Sequence, residues 1–243
     1  MTARQYRAVT RVATFVALLS GGAVNAQSLT VLPVTIQMTQ GRMATALTVI
    51  NHGDSETGVQ VRAFAWNQEG GRDQLVSSEE VLASPPLATI PPRATQIVRL
   101  VLRRPPQEHE ATYRILLDQI PAPAAPGTVR IALRLSIPVF AEPTVRVAPH
   151  VQFRIERDAG QAWLVAFNGG GRHETIRDIA LTTNDGSGLQ TETNVSPYLL
   201  AGATRRWRIV SQARLPAQGG TVRLTALAST GIVDQPVPVV AGP

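Results

Sequence analysis

The 243-residue sequence contains no cysteine and no lysine. Without cysteine there can be no disulfide, iron–sulfur cluster, thiolate zinc site, thiol nucleophile or acylated lipoprotein cysteine. Without lysine, all 23 basic side chains are guanidinium groups, set against 17 carboxylates. Long apolar runs are missing too. After residue 26 no stretch holds the roughly 18 uninterrupted apolar residues that a membrane helix needs. The acids are sparse and unclustered, which leaves neither a calcium loop nor a glycosidase carboxylate pair to nominate.

The remaining chemistry is equally thin. The four histidines, His52, His109, His150 and His173, stand at no metal-ligand spacing. Each lies beside glycine, proline or charge and is expected at a surface or turn, so no metal site is expected. Asn184-Asp185-Gly186-Ser187-Gly188 reads as a loop, with no nucleophile elbow around its serine. Gly169-Gly170-Gly171 leads into Arg172-His173-Glu174 and a strand pattern, whereas a phosphate cradle needs a helix amino end. Trp66, Trp163 and Trp207 lie on strand patterns and read as core residues, not as a sugar platform. No catalytic residue and no cofactor can be named, and an enzyme is not expected.

What the sequence does contain begins at its amino end. Arg4, Arg7 and Arg11 precede the apolar stretch Val12–Leu19, then Gly21-Gly22 and Val24-Asn25-Ala26. Positive, apolar and small-residue segments in that order form a secretory signal peptide, residues 1–26, expected to be cleaved after Ala26. The mature chain of 217 residues then keeps 20 of the 23 arginines against 17 acids, a charge of +3. Spread along the chain, that charge reads as a solvated surface and not as a nucleic-acid groove. The product is expected to be exported, with no membrane anchor.

Apolar content of 44% suffices for a packed core, and scattered glycine (19) and proline (18) suit a turn-rich β protein. Strand patterns are expected over Leu29–Met38, Thr45–Ile50, Val59–Trp66, Thr95–Leu102, Ala111–Ile120 and Thr128–Phe140, with turns at Asn51–Asp54 and Gln68–Arg72. Ala83–Pro92, with its prolines, reads as an extended edge or loop. Ala141-Glu142-Pro143 then breaks the pattern. Further strands are expected at Val151–Glu156, Ala162–Phe167, Thr175–Thr182, Thr204–Val210 and Thr221–Ala228. The fold class is therefore all-β, with two units of about 100 residues, 27–143 and 144–243, each the size of an immunoglobulin-like sandwich. Thr128–Phe140 is the unusual element. Val129, Ile131, Leu133, Leu135, Ile137 and Val139 share one face, and a strand so long and apolar is either central or made to pair with another chain.

A resemblance sharpens this choice. The Asn51 turn, Trp66-x-Gln68, Gln96-x-x-Arg99, Tyr113-Arg114-Ile115 and Gln119-Ile120-Pro121 follow one another as in the first domain of periplasmic pilus chaperones. Ile131–Phe140 with Pro143 resembles the family's long G1 strand and its exit. Leu164–Asn168, Gly169, His173 and Tyr198–Gly202 through Trp207 are similar to the second domain. The absence of cysteine, together with Tyr113-Arg114-Ile115 and the strand ending in Phe140, looks most like the archaic branch of the family. The resemblance implies two immunoglobulin-like domains in a boomerang and a periplasmic chaperone of the chaperone–usher pathway. Such a protein binds pilin subunits by lending them G1, here through Val129, Ile131, Leu133 and Leu135, and delivers them to an outer-membrane usher. A free G1 edge also offers itself to a second copy of the chain.

The family's best-known branch anchors the pilin carboxylate with a strand-A arginine and a G1 lysine, whose places fall on Thr35 and Pro138. A buried carboxylate still needs a cation. Arg99, Arg114 and Arg134 are the candidates, Arg99 the first choice and Arg114 the second, both expected on strands beside G1. The family's interdomain acid and base are matched by Gln119 and Glu142. The competing readings are a secreted two-domain sugar- or peptide-binding module with exposed tryptophans, and a pilus subunit or tip adhesin.

Overall fold

The computed structural model describes residues 29–121, 127, 129, 131–158, 160–193, 196–210 and 215–242. The signal peptide expected at 1–26 lies outside the described residues, as do Thr128 and Arg130. Among the described residues there is no helix.

Residues 29–141 form two sheets. In one, β1 (Leu29–Leu32), β3 (Ala44–Asn51), β8 (Thr95–Leu102) and β6 (Val81–Ser84) lie side by side in that order. In the other the order is β2 (Ile36–Met38), β10 (Arg134–Ala141), β9 (Ala111–Ile120), β4 (Thr57–Glu69) and β5 (Arg72–Ser77), with β7 (Leu87–Ile90) also against β4. Alternation along each strand explains the packing. Val98, Leu100 and Leu102 of β8 and Tyr113, Ile115 and Leu117 of β9 point inward, and they meet Val59, Val61, Ile137 and Val139 in one core.

Two expectations need correction here. Leu29–Met38 is not one strand, because it divides at Pro33 into β1 and β2, which belong to opposite sheets. Proline has no N–H to give a ladder, so the chain can leave one sheet and join the other at that point. Pro85-Pro86 separates β6 from β7 in the same way. Of the expected strand Thr128–Phe140, the described residues show regular pairing only from Arg134, in β10 (Arg134–Ala141).

Residues 151–241 build the second sandwich. Its strands are β11 (Val151–Asp158), β12 (Gln161–Asn168), β13 (Glu174–Thr182), β14 (Gly188–Leu189), β15 (Tyr198–Leu199), β16 (Thr204–Arg208), β17 (Thr221–Ala228) and β18 (Gly231–Ala241). They run β14-β13-β17-β18-β11-β12-β16, with β15 against β13. β18 pairs antiparallel with β17 as far as Pro238, then parallel with β11 over Val239–Ala241, so one strand closes both faces. Ile155, Leu164, Leu181, Val222, Leu224 and Val237 fill the interior.

A buried asparagine closes the same corner of each sandwich. Asn51 Nδ2 donates to the carbonyls of Ser55 (2.8 Å), Ile90 (3.1 Å) and Pro91 (3.0 Å), while its Oδ1 accepts from Gly53 N. Asn168 Nδ2 donates to Arg172 O and Leu199 O, and its Oδ1 accepts from His150 N and Gly170 N. Each satisfies backbone groups that the turning chain cannot pair by itself.

Candidate functional site

The outward face of the β10–β9–β4–β5 sheet is a series of cross-strand rows. Phe140, Thr112, Trp66 and Leu75 form the row nearest the second sandwich. Trp66 and Phe140 have no exposed surface, and their rings, 5.9 Å apart, belong to the second sandwich's core. The next row is Pro138, Arg114, Phe64 and Ser77, followed by Ser136, Leu116 and Arg62, then Arg134, Asp118 and Gln60. In the first row Trp66 and Phe140 are covered by the second sandwich while Leu75 is exposed; in the next, Pro138 is buried and Arg114 half-buried against Tyr198, so Arg114 stands where the two sandwiches part.

Arg114 lies 3.8 Å over the Trp66 ring and 5.4 Å from that of Tyr198, which the second sandwich supplies. Its hydrogen bond among the described residues is a long one, 3.5 Å, from Nη1 to Ser136 O. Burial lowers its pKa, Asp73 and Tyr198 partly oppose the shift, and Arg205 reinforces it. A guanidinium remains charged under such a shift. The site therefore presents a desolvated cation on an aromatic floor, directly opposite Pro138 in the strand register.

The other arginines are placed differently. Arg99 lies on β8, in the sheet that does not contain β10, and it is exposed on that sheet's outer face between Ala46 and Ser84. The expectation that its strand adjoins the long strand is thus corrected. Alternation turns Val98 and Leu100 inward and leaves Arg99 facing away from β10. Arg134 does share Arg114's face, but it is exposed and ion-paired with Asp118, which also takes Arg62 at 2.6 Å. The hydrogen bond from Arg134 is the main cause of the lowered Asp118 pKa; burial opposes it and Arg62 adds to it.

The β10 edge is the second part of the site. β9 pairs with β10 along its whole length, whereas β2 reaches only Val139–Ala141 on the other side. Arg134–Pro138 therefore has an open edge. Ahead of it, Val129 and Ile131 are 92% and 91% exposed and Leu133 39%. Leu135, on the same face, instead leans on the first core, and Ile137 and Val139 are buried in it. One apolar face thus begins in solvent and ends in a core.

The contacts between sandwiches are also clear. Gln68 donates to Tyr198 O (2.9 Å) and accepts from Leu200 N (3.0 Å), and Arg205 grips Asp73 (2.8 Å) and Gly71 O. Glu142 meets Arg172 at 3.3 Å, while Gln119 bonds to Thr57 and Leu133 within the first sandwich. Of the pair matched to the family's bridge, only Glu142 reaches across. His173 departs from its expected surface position. It is buried, stacked 3.6 Å from Phe140, and its Nδ1 donates to Glu110 at 2.6 Å. Contact between the sandwiches buries it, and no local pattern signals that. Trp66 and Trp207 are buried and Trp163 is half-buried, so no row of exposed indoles is available for a sugar.

Residues 28–146 match the family described as pili and flagellar-assembly chaperone, PapD N-terminal domain. The chain belongs to the pilus-assembly chaperones. Solved structures of chaperones share its fold. The CsuC–CsuE chaperone–tip subunit pre-assembly complex of the archaic Csu pili of Acinetobacter baumannii matches at 22% identity and a TM-score of 0.65, over 89% of this chain and 100% of that one. The Escherichia coli chaperone DraB matches at 19% identity and a TM-score of 0.56, over 86% and 98%. The SafA pilin–SafB chaperone complex of Salmonella enterica matches at 15% identity and a TM-score of 0.58, over 90% and 98%. A search among curated proteins finds no sequence match. The two sandwiches thus share the fold of pilus-assembly chaperones.

Proposed function

We propose that this chaperone captures pilin subunits in the periplasm by lending them the segment from Val129 to Leu135, and passes them to an outer-membrane usher. The observation that carries this reading is the open β10 edge, with Val129, Ile131 and Leu133 presented in front of it. A subunit groove that accepts this edge gains main-chain hydrogen bonds and pockets for alternate side chains. Three apolar side chains contribute roughly 5–9 kcal/mol before ordering costs. Arg114 takes the subunit's terminal carboxylate: the cation comes from β9, one strand over from the family's G1 lysine position at Pro138. Arg99 and Arg134 are the weaker candidates, one on the wrong sheet and the other already paired. The mature chain starts at Gln27 with sandwiches of 27–143 and 144–243, and the archaic branch is its place in the family.

The test is co-expression with a secreted pilin subunit and recovery from periplasmic extract. Ile131→Asp with Leu133→Asp should leave the chaperone folded and abolish subunit recovery, since an exposed face tolerates charge. Undiminished recovery would refute strand donation. Intact mass of the periplasmic product should begin at Gln27, and a mass retaining residues 1–26 would refute export by cleavage.

A further inference from the structure

A cavity lies between the Gly70-Gly71 turn of the first sandwich and strands β12 and β16 of the second. Both glycines have positive φ, 55° and 78°, as a two-residue hairpin turn of this hand requires. The walls carry four arginines, Arg72, Arg205, Arg206 and Arg208, against two carboxylates, Asp73 and Glu192. Arg205 is spent on Asp73 and on the carbonyls of Gly71 and Tyr198. Arg206 gives Nη2 to Glu156 at 2.9 Å, but its Nε is buried with no partner among the described residues. Arg208 touches Glu192 only at 3.8 Å, both being half-exposed, and Arg72 is exposed on β5.

The floor is apolar. Trp163 lies 5.1 Å beneath the Arg206 guanidinium and is the cross-strand partner of Arg208. Arg206 and Arg208 stand two apart on one face of β16, about 6.7 Å from each other at the usual rise per residue. Alternate side chains of an extended peptide have the same spacing. Planar donors at that interval over an indole suit carboxylates, which guanidinium groups bind in a forked geometry. Arg205 and Asp73, in the wall of this cavity, also act on Arg114, so the two sites adjoin.

We propose that this cavity is a second contact site for the captured subunit and takes an acidic, extended segment of it. The proposal rests on the chaperone reading for its partner, but its chemistry can be tested on the free protein. Titration of the mature chain with hexaglutamate at low salt should change Trp163 emission saturably, and Trp163→Phe should remove the signal. Arg72→Glu with Arg208→Glu should weaken binding about tenfold or more, and Arg208→Gln alone should weaken it less. Arg177→Glu, a single charge reversal placed on exposed β13, should leave it unaltered. The paired substitution should also slow subunit capture at low salt and matter little at high salt.

The proposal is overturned if hexaglutamate gives no saturable change, if inorganic phosphate at equal concentration binds as well, or if the paired substitution leaves peptide binding or subunit capture unchanged. Ile131→Asp with Leu133→Asp separates the two ideas. It should abolish subunit recovery and leave hexaglutamate binding intact, so failure of strand donation and failure of the acidic-segment site give different results.

Discussion

Arg114 and Glu174 show how one side chain's surroundings decide its role. Arg114 is held on Trp66 at the mouth of the cleft, with no carboxylate of its own among the described residues. A subunit carboxylate that reaches it loses water and gains a charge-assisted partner, so Arg114→Ala should cost about 2–5 kcal/mol of complex stability. Arg99→Ala and Arg134→Ala should keep wild-type subunit yield in the same periplasmic assay, because one faces away and the other is occupied by Asp118. Glu174 is buried for a purely structural purpose. Burial pushes its pKa up, but hydrogen bonds from Ser229, Thr230 and the backbone N–H groups of Thr175 and Ser229 outweigh that and leave it lowered. Its contribution to stability is therefore complete above the ordinary glutamate value of 4.5 and is lost as pH falls through the lower folded value. Glu174→Gln should flatten the acid limb of a melting temperature–pH curve, and an unchanged limb would contradict this account.

In β10, position along one strand decides what a substitution does. Ile137 is 4% exposed in the first core, whereas Ile131, six residues earlier on the same face, is 91% exposed. Ile137→Asp should thus unfold the first sandwich, by 3 kcal/mol or more from burying an unpaired charge. Ile131→Asp should leave the melting temperature within a degree or two. Circular dichroism melts of the two variants make the comparison directly. The shared face was legible in the sequence, since period-2 alternation extends from Val129 to Val139. Where exposure gives way to burial was not, because it depends on where the strand joins β9 and its inner face meets the first core. Other strands were readable for the same reason, such as β8, β9 and β17 with their regular inward residues. β5 was missed because all six of its residues are exposed and no alternation marks it. β18 was missed because Pro236 and Pro238 argue against a strand, yet they sit where it leaves β17 for β11. For the proposed anchor, local pattern put Arg99 first and Arg114 second; that β8 joins the other sheet, and that Arg134 is paired with Asp118, are set by long-range packing and are not legible in the sequence.

For the molecule as a whole, the β4–β5 hairpin is the strut between the two sandwiches. Gln68, Gly71 and Asp73 all hold the second sandwich through Tyr198, Leu200 and Arg205. Asp73→Ala leaves the buried Arg205 short of its carboxylate and should cost about 1–3 kcal/mol of that contact. Small-angle scattering should then show a broader distribution of distances between the sandwiches, with little change in the melting of either. An unaltered scattering curve would mean that Trp66, Phe140 and His173 fix the arrangement without the strut. The open edge of β10 also bears on how such a protein survives unaccompanied. A complete, flat, apolar strand would be a template for any stray strand in a crowded compartment. Here Val129 and Ile131 carry the apolar side chains on backbone that joins no ladder, and regular pairing starts only at Arg134. On the proposed donation, the template is finished by the client that uses it. Fixing those residues in a strand would cost about 1–2 kcal/mol each, which a deep, matching groove can offset and a chance encounter cannot, so on that reading the unfinished strand favours its client over stray partners.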